Sequence, residues 1–172
     1  MAQSVLVIAD SGTGKSTAIR NLNPDETFII NIANKPLPFK GWKKNYTLIS
    51  KENPKGNLAS ASSAIGIMKA IKHVDEKMPA IKTLVVDDWQ YMSSFEYFDR
   101  ANEKGYDKFT QIAANLAQVA KMPKDMREDL TIFFLTHSED SVDGNGNRKV
   151  KAKTIGKMID NTLTLEGLFS IV

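Results

Sequence analysis

Residues 4–19 decide the fold: Ser4-Val5-Leu6-Val7-Ile8-Ala9-Asp10-Ser11-Gly12-Thr13-Gly14-Lys15-Ser16-Thr17-Ala18-Ile19. The short apolar run 5–8 reads as a buried strand, residues 9–14 as a glycine-bearing turn, and Lys15-Ser16-Thr17 as the opening of a helix. Strand, turn and helix with Ala-x-x-x-x-Gly-Lys-Ser across them make a phosphate-binding P-loop. Gly12 and Gly14 let the backbone wrap an anion, because residues without Cβ reach conformations that aim successive N–H groups inward. Asp10, Ser11, Gly12, Thr13, Gly14, Lys15, Ser16 and Thr17 are therefore the candidate nucleotide-binding residues. Lys15 is expected to reach the β and γ phosphates, Ser16 to hold Mg²⁺ through its hydroxyl, and Thr17 to bond the α-phosphate. Ala9 stands where the motif opens with glycine; the smallest side chain with a Cβ keeps the turn feasible.

The chain of 172 residues suits one domain spanning 1–172, with 42% hydrophobic and 25% charged residues as in an ordinary globule. There is no cysteine, and His73 and His137 are the only histidines, which excludes disulfides, thiolate metal sites and histidine-rich metal centres. The apolar start is too short and lacks the basic flank of a signal peptide, and no run approaches the ~20 apolar residues of a membrane span. The expected setting is cytoplasmic, with no membrane partner. A net charge of +3 permits a polyanionic partner without demanding one. Only Arg20, Arg100, Arg127 and Arg148 are arginines, too few and too scattered for the arginine-rich lid of a small-molecule or nucleotide kinase.

Along the chain, helix is expected over 15–22, strands over 27–32 and 46–50, and an amphipathic helix over 58–74 with Leu58, Ala61, Ile65, Met68 and Ile71 on one face. A further strand is expected over 83–86, a helix over 109–120 with Phe109, Ile112, Leu116 and Val119 in a stripe, and a strand over 131–135. Residues 89–106 are rich in aromatics without a clear period. Asp143-Gly144-Asn145-Gly146-Asn147 signals a hairpin, with 148–153 returning. The final apolar stretch, Leu168-Phe169-Ser170-Ile171-Val172, reads as a buried strand and implies a native chain continuing past Val172. Alternation of strands and helices predicts a three-layer α/β fold with a mainly parallel central sheet. Ligands in such folds sit at the carboxyl ends of strands, which gathers Ala9, Ala33, Asp87 and Thr136 at one edge.

Leu84-Val85-Val86-Asp87-Asp88 has the form of a Walker B strand. Asp87 is the candidate Mg²⁺ ligand with Ser16, and Asp88 is placed to orient or deprotonate water. Two adjacent acids also fit a solvated strand end. His137, after Thr136, reads either as a sensor of the γ-phosphate or as a surface histidine. Lys15, Asp88 and His137 are thus the catalytic candidates. Lys149, Lys151, Lys153 and Lys157 form either a solvated face or a source of one charge reaching a neighbouring subunit's γ-phosphate, as an arginine finger does.

These residues together resemble the small phage-encoded P-loop ATPases of the AAA/RecA-like class, linked to single-strand DNA recombination and annealing. The likeness rests on residues 9–17, Thr27-Phe28-Ile29-Ile30-Asn31, Lys35-Pro36-Leu37-Pro38-Phe39, Val85-Val86-Asp87-Asp88 and Phe133-Phe134-Leu135-Thr136-His137. It implies a RecA-like core, Mg²⁺-dependent ATP hydrolysis, homo-oligomerisation, single-stranded DNA as partner and a host-cell cytoplasm. By analogy DNA would lie along residues 91–108 and 138–153; the first offers Tyr91, Phe95, Tyr97, Phe98 and Tyr106 with Arg100, Lys104 and Lys108 for stacking and backbone contacts. RecA-like cores carry a catalytic glutamate after the second strand, whereas Asn31-Ile32-Ala33-Asn34 has no acid, so slow hydrolysis with Asp88 as substitute base is expected. The rival is a non-catalytic module in which ATP locks an oligomer. A GTPase is disfavoured, since Asn34-Lys35-Pro36-Leu37 lacks the aspartate that reads guanine.

Overall fold

The computed structural model describes residues 1–142, 146–154 and 164–172. Its strands are β1 (Gln3–Ala9), β2 (Thr27–Asn31), β3 (Leu58–Ser60), β4 (Thr83–Asp87), β5 (Thr131–Val142) and β6 (Arg148–Ala152). Its helices are α1 (Lys15–Ala18), α2 (Trp42–Asn45), α3 (Ala64–Lys77), α4 (Tyr91–Asp99) and α5 (Asp107–Lys121). The strands form a six-stranded sheet in the order β1-β5-β4-β2-β3, parallel throughout, with β6 running antiparallel to β5. This mainly parallel α/β sheet with flanking helices is consistent with a RecA-like P-loop fold.

Burial on both faces explains the sequence of the strands. Every residue of β2 is buried, as a central parallel strand requires. Phe28, Ile30, Leu84, Val86, Ile132 and Phe134 join one core with α3 and α5. Ile29, Val85 and Leu135 face the other side, against Ile19, Leu37 and Tyr46. The two outer layers are unequal. One consists of long amphipathic helices; the other is α1, α2 and the loop segments between them.

Several expected elements differ. The helix after the P-loop is a single turn, α1, followed by a 3-10 turn over Ile19–Asn21. Residues 46–50 form no strand beyond a bridge from Leu48 to Leu58; Tyr46 is instead buried edge-on to Phe39, centroids 6.3 Å apart. Leu58 to Ser60 is strand β3 and not the start of a helix, because β2 offers a parallel partner from Ile29 to Asn31. Helix α3 starts later, with Ser63 Oγ accepting from Gly66 N at 3.2 Å. Its buried face is therefore Ala64, Ile67, Ile71 and Val74, and Ile65 is exposed. The stripe of α5 falls as expected on Ile112, Leu116 and Val119.

Strand β5 runs seven residues past Leu135, and its outer half pairs with β6 as the expected hairpin; residues 143–145 of the turn lie outside the described residues. The carboxyl end of the chain forms a 3-10 turn over Leu165–Leu168 and a single parallel bridge from Ile171 to Val5, not a strand. Phe169 packs edge-on to Trp89 and Phe134, at 5.5 and 5.1 Å, closing the core beneath β1 and β5.

Candidate nucleotide site

Register brings the sequence-selected residues to one sheet edge. Ala9 pairs with His137 across β1 and β5, and Asn31 pairs with Asp87 across β2 and β4. Strand β5 separates the P-loop strand from the strand carrying Asp87. The cleft between them measures about 420 Å³ and is lined by Gly12, Gly14, Lys15, Ser16, Lys35 and Asp88, among others.

Gly12 and Gly14 have φ of +81° and +98°. A Cβ at either would meet nothing within 4 Å, so backbone conformation and not space demands glycine here. Ala9 closes β1 with φ on the ordinary negative side, which is why alanine serves where the motif has glycine. Thr13 Oγ1 donates to the Asp10 carbonyl at 2.8 Å, and Ser138 Oγ donates to Asp10 Oδ1, tying the loop to β5. Ser11 and Thr17 also line the cleft.

Lys15 Nζ folds back over the loop and donates to the carbonyls of Ala9 and Asp10, at 2.6 and 2.7 Å. Burial holds its ammonium below the ordinary lysine range, against the pull of Asp88, Asp10 and Asp87. Ser16 Oγ donates to Asp87 Oδ1 at 2.7 Å. Asp87 is 1% exposed, and burial pushes its carboxyl up, a shift the Ser16 hydrogen bond opposes.

A serine hydroxyl and a buried carboxylate, converging beside the cleft, are hard oxygen donors suited to Mg²⁺. Among the described residues no group of three or more His, Cys, Asp or Glu is arranged to hold a metal.

Asp88 is buried with φ of +59°, a left-handed conformation rare for a side-chain-bearing residue. Its carboxylate meets Lys35 Nζ at Oδ2 and His137 Nε2 at Oδ1, the latter at 3.4 Å. Burial and the nearby Lys15 charge hold the His137 imidazole below its ordinary pKa, against Asp88. The His137 backbone N–H donates to Gln90 Oε1 at 3.3 Å. His137 thus sits inside β5, against Asp88, and not on an outer strand end.

Lys35 escaped the sequence reading as a site residue. Its signal is local: Asn34 is one of the few residue types that tolerates left-handed backbone and does so here, with φ of +50°. That turn sends the next side chain back across the cleft. Although burial works against its charge, the hydrogen bond and charge of Asp88 hold the Lys35 ammonium above its ordinary range.

Other candidates fall elsewhere. Lys149 is exposed on β6, Lys151 lies 3.6 Å from Glu139, and Lys153 borders a smaller cavity of about 270 Å³ beside His137; Lys157 lies outside the described residues. In the expected DNA segment, Arg100 is spent on Glu96 and Glu103, at 3.1 and 2.7 Å. Lys108 donates to the carbonyls of Arg100 and Glu103, and Tyr91 stacks on Phe95. Phe98 and Tyr106 remain exposed. Sequence reasoning passed over a groove lined by residues 37–44, where Lys40, Lys43 and Lys44 flank Phe39 and Trp42 without an acidic residue. Arg127 donates to the Val74 and Asp75 carbonyls, both at 2.8 Å, which makes it a cap for α3.

A model of the AAA domain family matches the chain over residues 1–172. The chain belongs to that family. No curated protein gives a match. Membership supports a nucleotide-binding ATPase. Among the described residues no helix is long and apolar enough to cross a membrane.

Proposed function

We propose that this AAA domain, one unit over residues 1–172, binds ATP with Mg²⁺ and hydrolyses it slowly. The observation that carries the reading is the Ser16 Oγ to Asp87 Oδ1 hydrogen bond of 2.7 Å at the mouth of a loop held open by two left-handed glycines. In it, residues 10–17 cradle the phosphates, and Lys15 exchanges its two carbonyl partners for β and γ oxygens. Ser16 and Asp87 would hold Mg²⁺, which would supply neutralisation of the phosphate charge. Asp88 accepts a proton from the attacking water as the γ-phosphorus bonds to its oxygen and the β–γ bridge leaves with ADP. His137, kept neutral by burial, holds Asp88 in place. Positioning and electrostatics supply most of phosphoryl-transfer catalysis, so these groups suffice for a modest rate.

The wider reading is a RecA-like core of a phage recombination system that acts in the host cytoplasm, assembles with copies of itself and engages single-stranded DNA. Its support is the resemblance of residues 9–17, 27–31, 35–39, 85–88 and 133–137. The basic, aromatic groove over 37–44 and the exposed rings of Phe98 and Tyr106 add surface suited to stacked bases. A neighbouring subunit's Lys149, Lys151, Lys153 or Lys157 remains a source of trans charge in that assembly.

One observation favours the rival, an ATP-binding module without turnover: Asp88 is already engaged by both Lys35 and His137. Phosphate release from ATP, with and without Mg²⁺ and single-stranded DNA, separates the two. Magnesium-dependent release that single-stranded DNA raises supports the ATPase, with Asp88→Asn lowering it by about 10²–10⁴-fold. Tight ATP binding with no release supports the module, and an Asp88→Asn protein at the parent rate removes the base.

A further inference from the structure

Asp88 and Lys35 make an ion pair in the cleft whose lysine comes from outside the P-loop, and three features hold that cation there. First, Asn34 takes a left-handed backbone, φ +50°, which turns the following residue toward the sheet edge. Second, Asn31 Nδ2, at the end of β2, donates to the Lys35 carbonyl at 2.6 Å. Asn31 is buried and stands in register with Asp87, so the Lys35 backbone is anchored one residue from Asp88. Third, Pro36 follows, restricting Lys35 to extended backbone. The side chain of Lys35 is 49% exposed and that of Asp88 3%, so the ammonium approaches the carboxylate from the open, cleft side.

The cleft is therefore walled by two lysines of one chain. Lys15 rests on two neutral carbonyls and Lys35 on one carboxylate. Both line the same space as Gly12, Gly14 and Ser16. A triphosphate entering it brings several negative charges to a point between them. Lys15 alone serves a diphosphate; with a triphosphate, the γ oxygens that Lys15 leaves unneutralised compete with Asp88 for Lys35.

We propose that Lys35 is a cis-acting γ-phosphate ligand: it leaves Asp88 when a nucleoside triphosphate binds, and returns to it in the diphosphate state. The proposal rests on the nucleotide-site reading given above and adds to it. One movement both recognises the third phosphate and uncovers the Asp88 carboxylate for water. The opposing charge that other P-loop enzymes import from a partner is then supplied within the chain.

The test compares Lys35→Met and Lys35→Arg with the parent by calorimetric titration of ADP and of ATPγS, each with Mg²⁺. Loss of one charge-assisted contact predicts about 10- to 100-fold weaker ATPγS binding in Lys35→Met. ADP affinity should stay within about twofold of the parent, which also shows the variant is folded, and Lys35→Arg should recover part of the difference. An unchanged ratio of the two affinities in Lys35→Met overturns the proposal while leaving the site intact. A parent that binds neither nucleotide overturns the proposal and the site reading together. Mixing Lys35→Met with Lys15→Ala chains tests the cis claim: ATPγS affinity stays weak if Lys35 serves its own site, and its recovery in the mixture overturns it.

Discussion

Replacing Asp87 by asparagine separates the charge of this side chain from its shape. The carboxylate is 1% exposed, and its side-chain partner is Ser16 Oγ at 2.7 Å. Burial outweighs that hydrogen bond and raises the carboxyl above its ordinary value of 3.8. The folded state therefore binds this proton more tightly than the unfolded chain does. Stability from this group is greatest below the unfolded value and declines as pH rises toward the folded one, so at neutral pH the whole cost is present. Asparagine keeps an oxygen to accept from Ser16 and drops the charge. Without nucleotide, Asp87→Asn is expected to gain about 1 kcal/mol, the excess of desolvation over one charge-assisted hydrogen bond. For a chain of 172 residues this raises Tm by about 2–4 °C. With nucleotide and Mg²⁺ at about 100 times Kd, the parent gains about 2.7 kcal/mol, or roughly 5–11 °C. The variant should lose the magnesium-dependent share of that gain. Scanning calorimetry of both proteins, with nucleotide alone and with nucleotide plus Mg²⁺, measures all of this. An unliganded variant melting several degrees below the parent, or one keeping the parent's magnesium-dependent shift, refutes the reasoning.

Gly14→Ala places a Cβ where nothing lies within 4 Å but φ is +98°. The expected loss is about 1–2 kcal/mol from backbone strain alone, about 2–8 °C in Tm; an unchanged melt in the unliganded protein would show that the loop relaxes freely. His137 is held below its ordinary value of 6.5 by burial, then by Lys15. The unfolded chain thus takes up this proton first, and stability is lost as pH falls from about 6.5 through the folded value. Denaturant titrations at pH 7.5 and 5.5 should show a smaller loss in His137→Gln than in the parent, and equal losses would remove the assignment.

Residues whose role follows from their own chemistry were readable from sequence. Gly12 and Gly14 announce left-handed turns, the run 84–86 announces a strand covered on both faces, and Asp87 follows at its edge. What failed depended on a partner far along the chain. Leu58, Ala59 and Ser60 continue a helical period by chance and become strand because β2 is there to pair with. The outer half of β5 shows no apolar pattern, since a two-stranded ribbon buries little of either face. Lys35 looks like one more loop lysine until the left-handed turn at Asn34 and the anchor from Asn31 are known. The aromatics of 91–108 looked like a stacking platform, yet Tyr91 and Phe95 pack on the core and Arg100 is held by its own helix and the loop after it.

Strand β5 is one uninterrupted beam of twelve residues, roughly 40 Å at about 3.3 Å each. Its inner half is clamped between β1 and β4, its outer half carries only β6, and His137 stands near the fulcrum. No loop lies between the ribbon and that histidine to absorb a twist. A load applied at the ribbon's tip is borne by the same backbone that fixes the distance from His137 to Asp88.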